Sequence, residues 1–359
     1  MSTVTAALPN ALSSARLPKN FPWMLLAGAL LVSAIVFILM WMSGPEGSEF
    51  DIVGSILFAV AIYAVVVYVA SRLVEGRRRA VDRLVTAVVT AAFVVALLPL
   101  VSLVFTVVVR GAARFDADFF TMSMRNIVGD GGGGLHAIVG TLLITLAASV
   151  ISIPVGLLTS IYLVEYGRGW FARAITFFVD VMTGIPSIVA GLFAYALFAV
   201  VFGPGVKLGI AGAVALSVLM IPVVVRSSEE MLRLVPNELR EASYALGVPK
   251  WLTIAKVVLP TSIAGIMTGV TLAIARVIGE TAPLLVAAGF TANMNYNLFD
   301  GRMQSLPVFV YNAYVSQGAN AAASVDRAWA GALTLIILVM LLNLVARIIA
   351  RAFAPKTGR

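Results

Sequence analysis

Apolar residues in this chain come in unbroken runs of about twenty, and polar residues collect between the runs instead of alternating with them. A run of roughly 20 uncharged residues, coiled at about 1.5 Å per residue, matches a bilayer core of about 30 Å. Eight runs are predicted as membrane-spanning helices: Trp23–Met42, Ile52–Ser71, Leu84–Val109, Leu135–Val164, Val181–Val201, Leu208–Val225, Ser262–Gly289 and Ala328–Ala346. Pro99 and Pro154 interrupt the third and fourth. Only the seventh holds charges well inside it, Arg276 and Glu280. An even number of spans puts both termini on one side.

Positive charge chooses the side. Of the 25 Lys and Arg residues, 18 fall in the termini and loops on the N-terminal side, 6 fall in the opposite loops, and the last is Arg276. Short loops left in the cytoplasm retain Lys and Arg. Both termini are therefore expected in the cytoplasm, in a multi-pass membrane protein. The basic cluster "EGRRRAVDR" separates the first two spans from the other six. Three segments follow: an N-terminal extension, 1–83, with two extra helices; a first core helix and external loop, 84–134; and a core, 135–353, with a long cytoplasmic loop, 226–261.

Composition closes off other classes. The chain is 61% hydrophobic and 12% charged, about half the charge a soluble domain carries. The net charge of +8 is then topological and predicts no nucleic-acid partner. With no cysteine, disulfides and thiolate metal sites are excluded. No metal or other cofactor is expected. The start lacks a basic region, short apolar run and small-residue cleavage site in that order, so no cleaved signal is expected. None of the five lysines follows the glycine pattern of a phosphate-binding loop, so the chain is expected to be no ATPase and no enzyme. His136 is the single histidine and reads as a hydrated residue at the outer mouth of the fourth span. "GDGGGGLH", 129–136, reads as a flexible linker. The aromatics of the external loop 290–327 (Tyr296, Phe309, Tyr311, Tyr314) read as an interfacial belt or a docking surface.

The loop 226–261 has more structure. Apolar residues recur at helical spacing through Leu239, Ala242, Ala245 and Leu246, and Pro236–Asn237 set that piece off from the one before. Gly247 is placed to stop the helix and Pro249 to start another. A helix, a glycine turn and a second helix on the membrane surface would suit docking into a soluble protein.

The stretch "EASYALGVPKWLTIAKVVLP" resembles the EAA motif of ABC importer permeases, with Glu241, Ala242, Gly247, Val257, Leu259 and Pro260 at its positions. Ser243 replaces the usual third-position Ala, and Val257 the commoner Ile. "GTLLIT", "GIPSIVAGLF", "IPVVVRSSEEML" and "ARVIGETAPLL" together resemble the phosphate-specific permease subunits of the PstA family, over roughly residues 84–353. The resemblance implies a type I ABC importer permease, an all-α polytopic fold with a MetI-like transmembrane domain. It also implies an inorganic-phosphate path shared with a second, related permease. A dimeric cytoplasmic ATP-binding subunit would dock on the EAA loop, and an external phosphate-binding protein would deliver substrate. Such subunits usually have six spans, so the two extra helices have no counterpart there.

Arg276 and Glu280 need an account of their own. An arginine at the centre of a membrane helix costs about 2.5–3.5 kcal/mol, so both charges are expected to face protein or water. Four residues apart on a helix, they would share one face. Arginine's fork of donors matches phosphate oxygens, and a carboxylate beside it would accept from hydrogen phosphate while repelling a fully ionised oxyanion. The other reading is a salt bridge that latches a gate. Arg226 reads as a snorkelling residue ending the sixth span, and Asp180 as the cap of a broken helix. Rival functions are a permease for molybdate or sulfate, a self-sufficient secondary anion carrier, and an anchor subunit without a path.

Overall fold

The structure is a computed structural model that describes residues 17–18, 20–43 and 51–353. The chain ends, expected in the cytoplasm, lie outside the described residues. Two compact units divide between Val104 and Phe105. The division falls inside one long helix, which also contains the boundary expected after Arg83.

The first unit is built from α1 (Phe21–Met42), α2 (Ile52–Val74) and the start of α3 (Arg77–Ala112). Asp51 caps α2 by accepting from the Gly54 N–H at 2.8 Å. α1 packs on α2, with the buried Ser33 hydroxyl 3.0 Å from that of Ser55. Gly76, at φ +90, turns the chain from α2 into α3, a geometry open to glycine without strain. Beside it Glu75 is buried and accepts from the Leu17 N–H at 3.0 Å, the Ser71 hydroxyl at 2.9 Å and Arg83 at 2.7 Å. Burial is the largest influence on its pKa and raises it. The donors at Leu17, Ser71 and Arg83 together outweigh burial, so the carboxyl sits below its ordinary value.

The second unit holds α4 (Ala117–Thr121), α5 (Leu135–Ile161), α6 (Gly169–Thr183), α7 (Ser187–Phe202), α8 (Gly209–Arg233), α9 (Asn237–Ala245), α10 (Lys250–Thr253), α11 (Leu259–Val277), α12 (Ala282–Ala287), α13 (Leu306–Val315) and α14 (Ala321–Phe353). Two wide π-helical turns, Tyr162–Tyr166 and Ile254–Val258, follow α5 and precede α11. α8 is the central helix. Two-thirds (67%) of its most apolar stretch is covered by protein, against 39% in α5. Small residues let the neighbours approach it. A Cβ on Gly156 of α5 would lie 2.7 Å from Val224 of α8, and Gly269 of α11 abuts Ser227.

Among the described residues, seven helices are long and apolar enough to cross a membrane, with an eighth crossing if the bent pair α6–α7 is one span. Two expected spans are corrected. The fifth, Val181–Val201, is broken: α6 and α7 meet at 110°. Gly184 caps α6, Pro186 offers no N–H, and the residue before a proline is pushed out of the helical region. The seventh, Ser262–Gly289, is also broken. α11 stops at Val277, and the chain resumes as α12 with Pro283 in its first turn. α7 packs closely on the second break, since a Cβ on Gly191 of α7 would sit 2.5 Å from the Pro283 Cα.

Three smaller expectations are also corrected. The glycine stretch is strapped down: Arg327 donates to the Gly129 and Gly131 carbonyls at 2.8 Å, and Arg114 to that of Gly132 at 2.9 Å. Under the strap His136 is 3% exposed, edge-on to Phe309 at 5.6 Å, and neither ring nitrogen has a partner among the described residues. It is a buried residue, not one exposed at the outer mouth of the span. Phe309 is buried too, against Phe119, whereas Tyr296, Tyr311 and Tyr314 are exposed.

Candidate coupling element and path residues

The polar loop folds as a helix, a turn and a helix. α8 continues two turns past Arg226 to Arg233, because Arg226, Glu229 and Arg233 are paired and need no early exit to water. α9 then starts after Pro236 and ends at Gly247. The Gly247 N–H donates to the Tyr244 carbonyl at 2.9 Å and the Val248 N–H to that of Ser243 at 3.2 Å. With Gly247 at φ +75, these bonds form a Schellman turn. The face turned to solvent carries Glu241, Ala242, Tyr244 and Gly247, with Leu246 84% exposed and Trp251 also exposed. The opposite face is closed by a buried bond of 2.8 Å between the Ser243 and Thr253 hydroxyls. Leu259 packs on the main core, and Pro260 opens α11, where it costs no hydrogen bond.

The element is gripped from below at the turn after α5. Arg240 donates to Glu165 Oε1 from Nε at 3.0 Å and from Nη2 at 2.9 Å. The same guanidinium caps the end of α8, donating to the Val235 carbonyl at 2.6 Å and to Leu232 at 3.0 Å. From α10, Lys250 donates to the Glu165 carbonyl and sits 4.7 Å over the Tyr166 ring.

Arg276 and Glu280 are not brought together as the sequence suggests. Arg276 lies in the last turn of α11, and Glu280 lies in the break beyond it, its N–H donating to the Val277 carbonyl at 3.1 Å. Sharing a face at i+4 requires a continuous helix, and Gly279 and Pro283 end it. Arg276 is exposed and Glu280 half-buried. Among the described residues, neither side chain enters an ion pair.

Residues 152–359 match the family model described as "Binding-protein-dependent transport system inner membrane component". The chain is 48% identical over 276 residues to "Phosphate transport system permease protein PstA 1" of Mycobacterium tuberculosis (strain CDC 1551 / Oshkosh), covering 76% of this chain and 90% of the relative. It is 40% identical over 284 residues to "Phosphate transport system permease protein PstA" of Yersinia pestis, covering 79% and 93%. The chain belongs to the PstA family. A chain of a solved bacterial alginate ABC transporter, bound to an alginate-loaded periplasmic protein, aligns with a TM-score of 0.56 at 13% identity, covering 80% of this chain and 100% of that one. That likeness places the fold of this PstA-family chain among ABC importer permeases. With its candidate spans, it is a multi-pass inner-membrane protein.

Two further placements in this permease differ from expectation. Asp180 lies inside α6 and caps nothing; it pairs with Arg226, which also holds Glu229 at 2.9 Å. Arg226 is therefore part of a charge chain, not a snorkelling residue. Sequence reasoning missed Glu165, Arg240 and Lys250 altogether. The available signal was Glu165, a lone carboxylate closing a 30-residue apolar stretch, which in a membrane protein asks for a named partner. A cavity of about 540 Å³ beneath the glycine strap is lined by His136, Phe309, Gln304, Asn320 and Arg327 among others. Among the described residues no group of His, Cys, Asp or Glu is arranged to hold a metal ion.

Proposed function

We propose that this chain is one transmembrane subunit of an ATP-driven importer of inorganic phosphate. The single observation that carries the reading is the exposed helix–glycine–helix element, in a chain whose relatives at 40–48% identity are named phosphate permeases. Those names favour phosphate over molybdate or sulfate. Glu241, Ala242, Gly247, Leu259 and Pro260 form and present a stiff element for a groove in a dimeric cytoplasmic ATP-binding subunit. The Lys and Arg asymmetry of the loops puts that element and both termini in the cytoplasm. A second, related permease completes the path, and an external phosphate-binding protein feeds it. ATP hydrolysis belongs to the docked subunit; closure of its two halves draws the coupling elements together and tilts the helices.

Arg276 and Glu280 line the path as separate groups at a helix break. An exposed guanidinium without an ion-pair partner among the described residues is costly in hydrocarbon and is stable where it meets water, substrate or the second permease. There its donor fork suits a phosphate oxyanion. Glu280, on the unwound segment, accepts from the protonated oxygen of hydrogen phosphate.

The test is phosphate uptake into proteoliposomes holding this chain, the partner permease and the ATP-binding subunit, with the binding protein supplied, each component omitted in turn. Uptake that needs every component and ATP is the expected result. Uptake by this chain alone without ATP would sink the reading in favour of a secondary carrier.

A further inference from the structure

We infer that the Glu165–Arg240 pair is the tether through which the coupling element drives α5, making both positioning residues for transport. The inference rests on the reading of the chain as an ATP-coupled subunit. By chain connectivity, α9 and α10 are joined only to α8 and α11. The end of α5 does not adjoin them in the chain; it is held by apolar packing of Ile161 and Val164 on the core that includes Val235 and Val258, and by polar bonds to Glu165. Arg240 comes from α9 and Lys250 from α10, and both close on Glu165: one on its carboxylate, the other on its carbonyl. The pair is shielded, with side-chain exposures of 12% for Arg240 and 5% for Glu165. Exposed ion pairs hold little, whereas removing one partner of a shielded pair strands the other. Because Arg240 also binds the last carbonyls of α8, one guanidinium joins α8, α9 and the turn after α5.

The position of the grip separates it from the docking face. Glu241 and Leu246 are exposed, while the Arg240 side chain turns away from them, shielded against Glu165 of the turn after α5. The turn that carries Glu165 is π-helical, a wide turn common at functional sites. Covalent linkage passes a push on α10 through the second π turn to α11. The Glu165–Arg240 bond passes the same push to α5, so both helices flanking α8 move with the docked subunit. Without the bond, the docked subunit can still close and hydrolyse ATP while α5 stays behind.

The experiment is phosphate uptake and ATP hydrolysis measured together in the complete reconstituted complex. In E165Q, phosphate moved per ATP falls about fivefold or more, the lower end of ordinary coupling between sites, while ATP hydrolysis stays within about twofold of wild type. R240K, which keeps the charge and loses the fork, gives a smaller loss of the same kind. The chain has no cysteine, so E165C/R240C can be bridged with a short bis-thiol reagent before assembly. The bridged variant is expected to regain the wild-type ratio and the unbridged one to lack it. A wild-type ratio in E165Q overturns the tether. So does a parallel loss of assembly, hydrolysis and uptake in both variants, since that marks a purely structural bond. A wild-type complex that takes up no phosphate with ATP instead overturns the proposed function, independently of the variants.

Discussion

Arg240 reaches across 75 residues of sequence to place Nε and Nη2 on a single carboxylate oxygen of Glu165, at 3.0 and 2.9 Å. The bond ties the proposed docking element to the end of α5, a helix that does not adjoin it in the chain. Arg226 plays a similar part nearby, between Asp180 of α6 and Glu229 of α8. The solvent-facing end of this permease is therefore a set of elements joined by charge, beneath helices joined by small-residue packing.

Gly247 is open to a clean test, because a Cβ there would meet nothing within 4 Å. A substitution costs only backbone strain at φ +75, about 1–2 kcal/mol for an ordinary residue and less for asparagine. Uptake by the complete complex is expected to fall in the order Gly, Asn, Ala, Val at that position. Equal uptake by all four would mean that the turn does not need its shape.

Arg276→Lys keeps a positive charge and loses the fork. A hydrogen bond to a charged group contributes about 1.5–3 kcal/mol, so uptake should drop about tenfold or more while the subunits still co-purify. Loss of co-purification would instead make Arg276 a latch to the second permease. Unchanged uptake would remove it from the path.

The buried hydroxyl pair Ser243–Thr253 predicts a non-additive result. Ser243→Ala should cost about 1 kcal/mol by leaving the Thr253 hydroxyl only its long 3.4 Å bond to the Pro249 carbonyl, lowering the thermal midpoint in detergent. Adding Thr253→Val should recover most of that loss. A double variant as unstable as the sum of the two singles would show that the hydroxyls act independently.

Glu75 makes the N-terminal unit acid-sensitive. Its carboxyl sits below its ordinary value when folded, so the ionised form stabilises the fold above the unfolded pKa of about 4.3. That contribution drains away as pH falls through the lower, folded value. Thermal midpoints of the wild type and Glu75→Gln should differ at pH 7, and the gap should close as pH falls below about 4. A gap independent of pH would assign the effect to shape instead of charge.

The helices easiest to read in the sequence were those whose apolar runs meet no glycine–proline pair: α1, α2, α8 and α14. The turn at Gly247 was legible because a local conformation needs only local residues. The breaks at Gly184–Pro186 and Gly279–Pro283 also carried local signals, but hydropathy treats a bent apolar segment and a straight one alike. The misplacement of Arg276 and Glu280 followed from that. Glu165–Arg240, Asp180–Arg226 and the burial of His136 lay beyond sequence reasoning because each depends on segments distant in the chain. His136 is covered in part by Phe309, more than 170 positions away.

The turn Tyr162–Tyr166 has one more consequence. A π-helical turn accommodates one residue more than an α-helical one, and each residue of an α-helix advances the side chain by about 100°. A helical wheel drawn straight from Leu135 therefore misplaces residues beyond the turn by about 100°, and Glu165, inside it, by part of that. Chimaeras of this permease with its relatives must carry the turn whole. A splice that drops its extra residue would swing the carboxylate off Arg240 even with every remaining side chain unchanged.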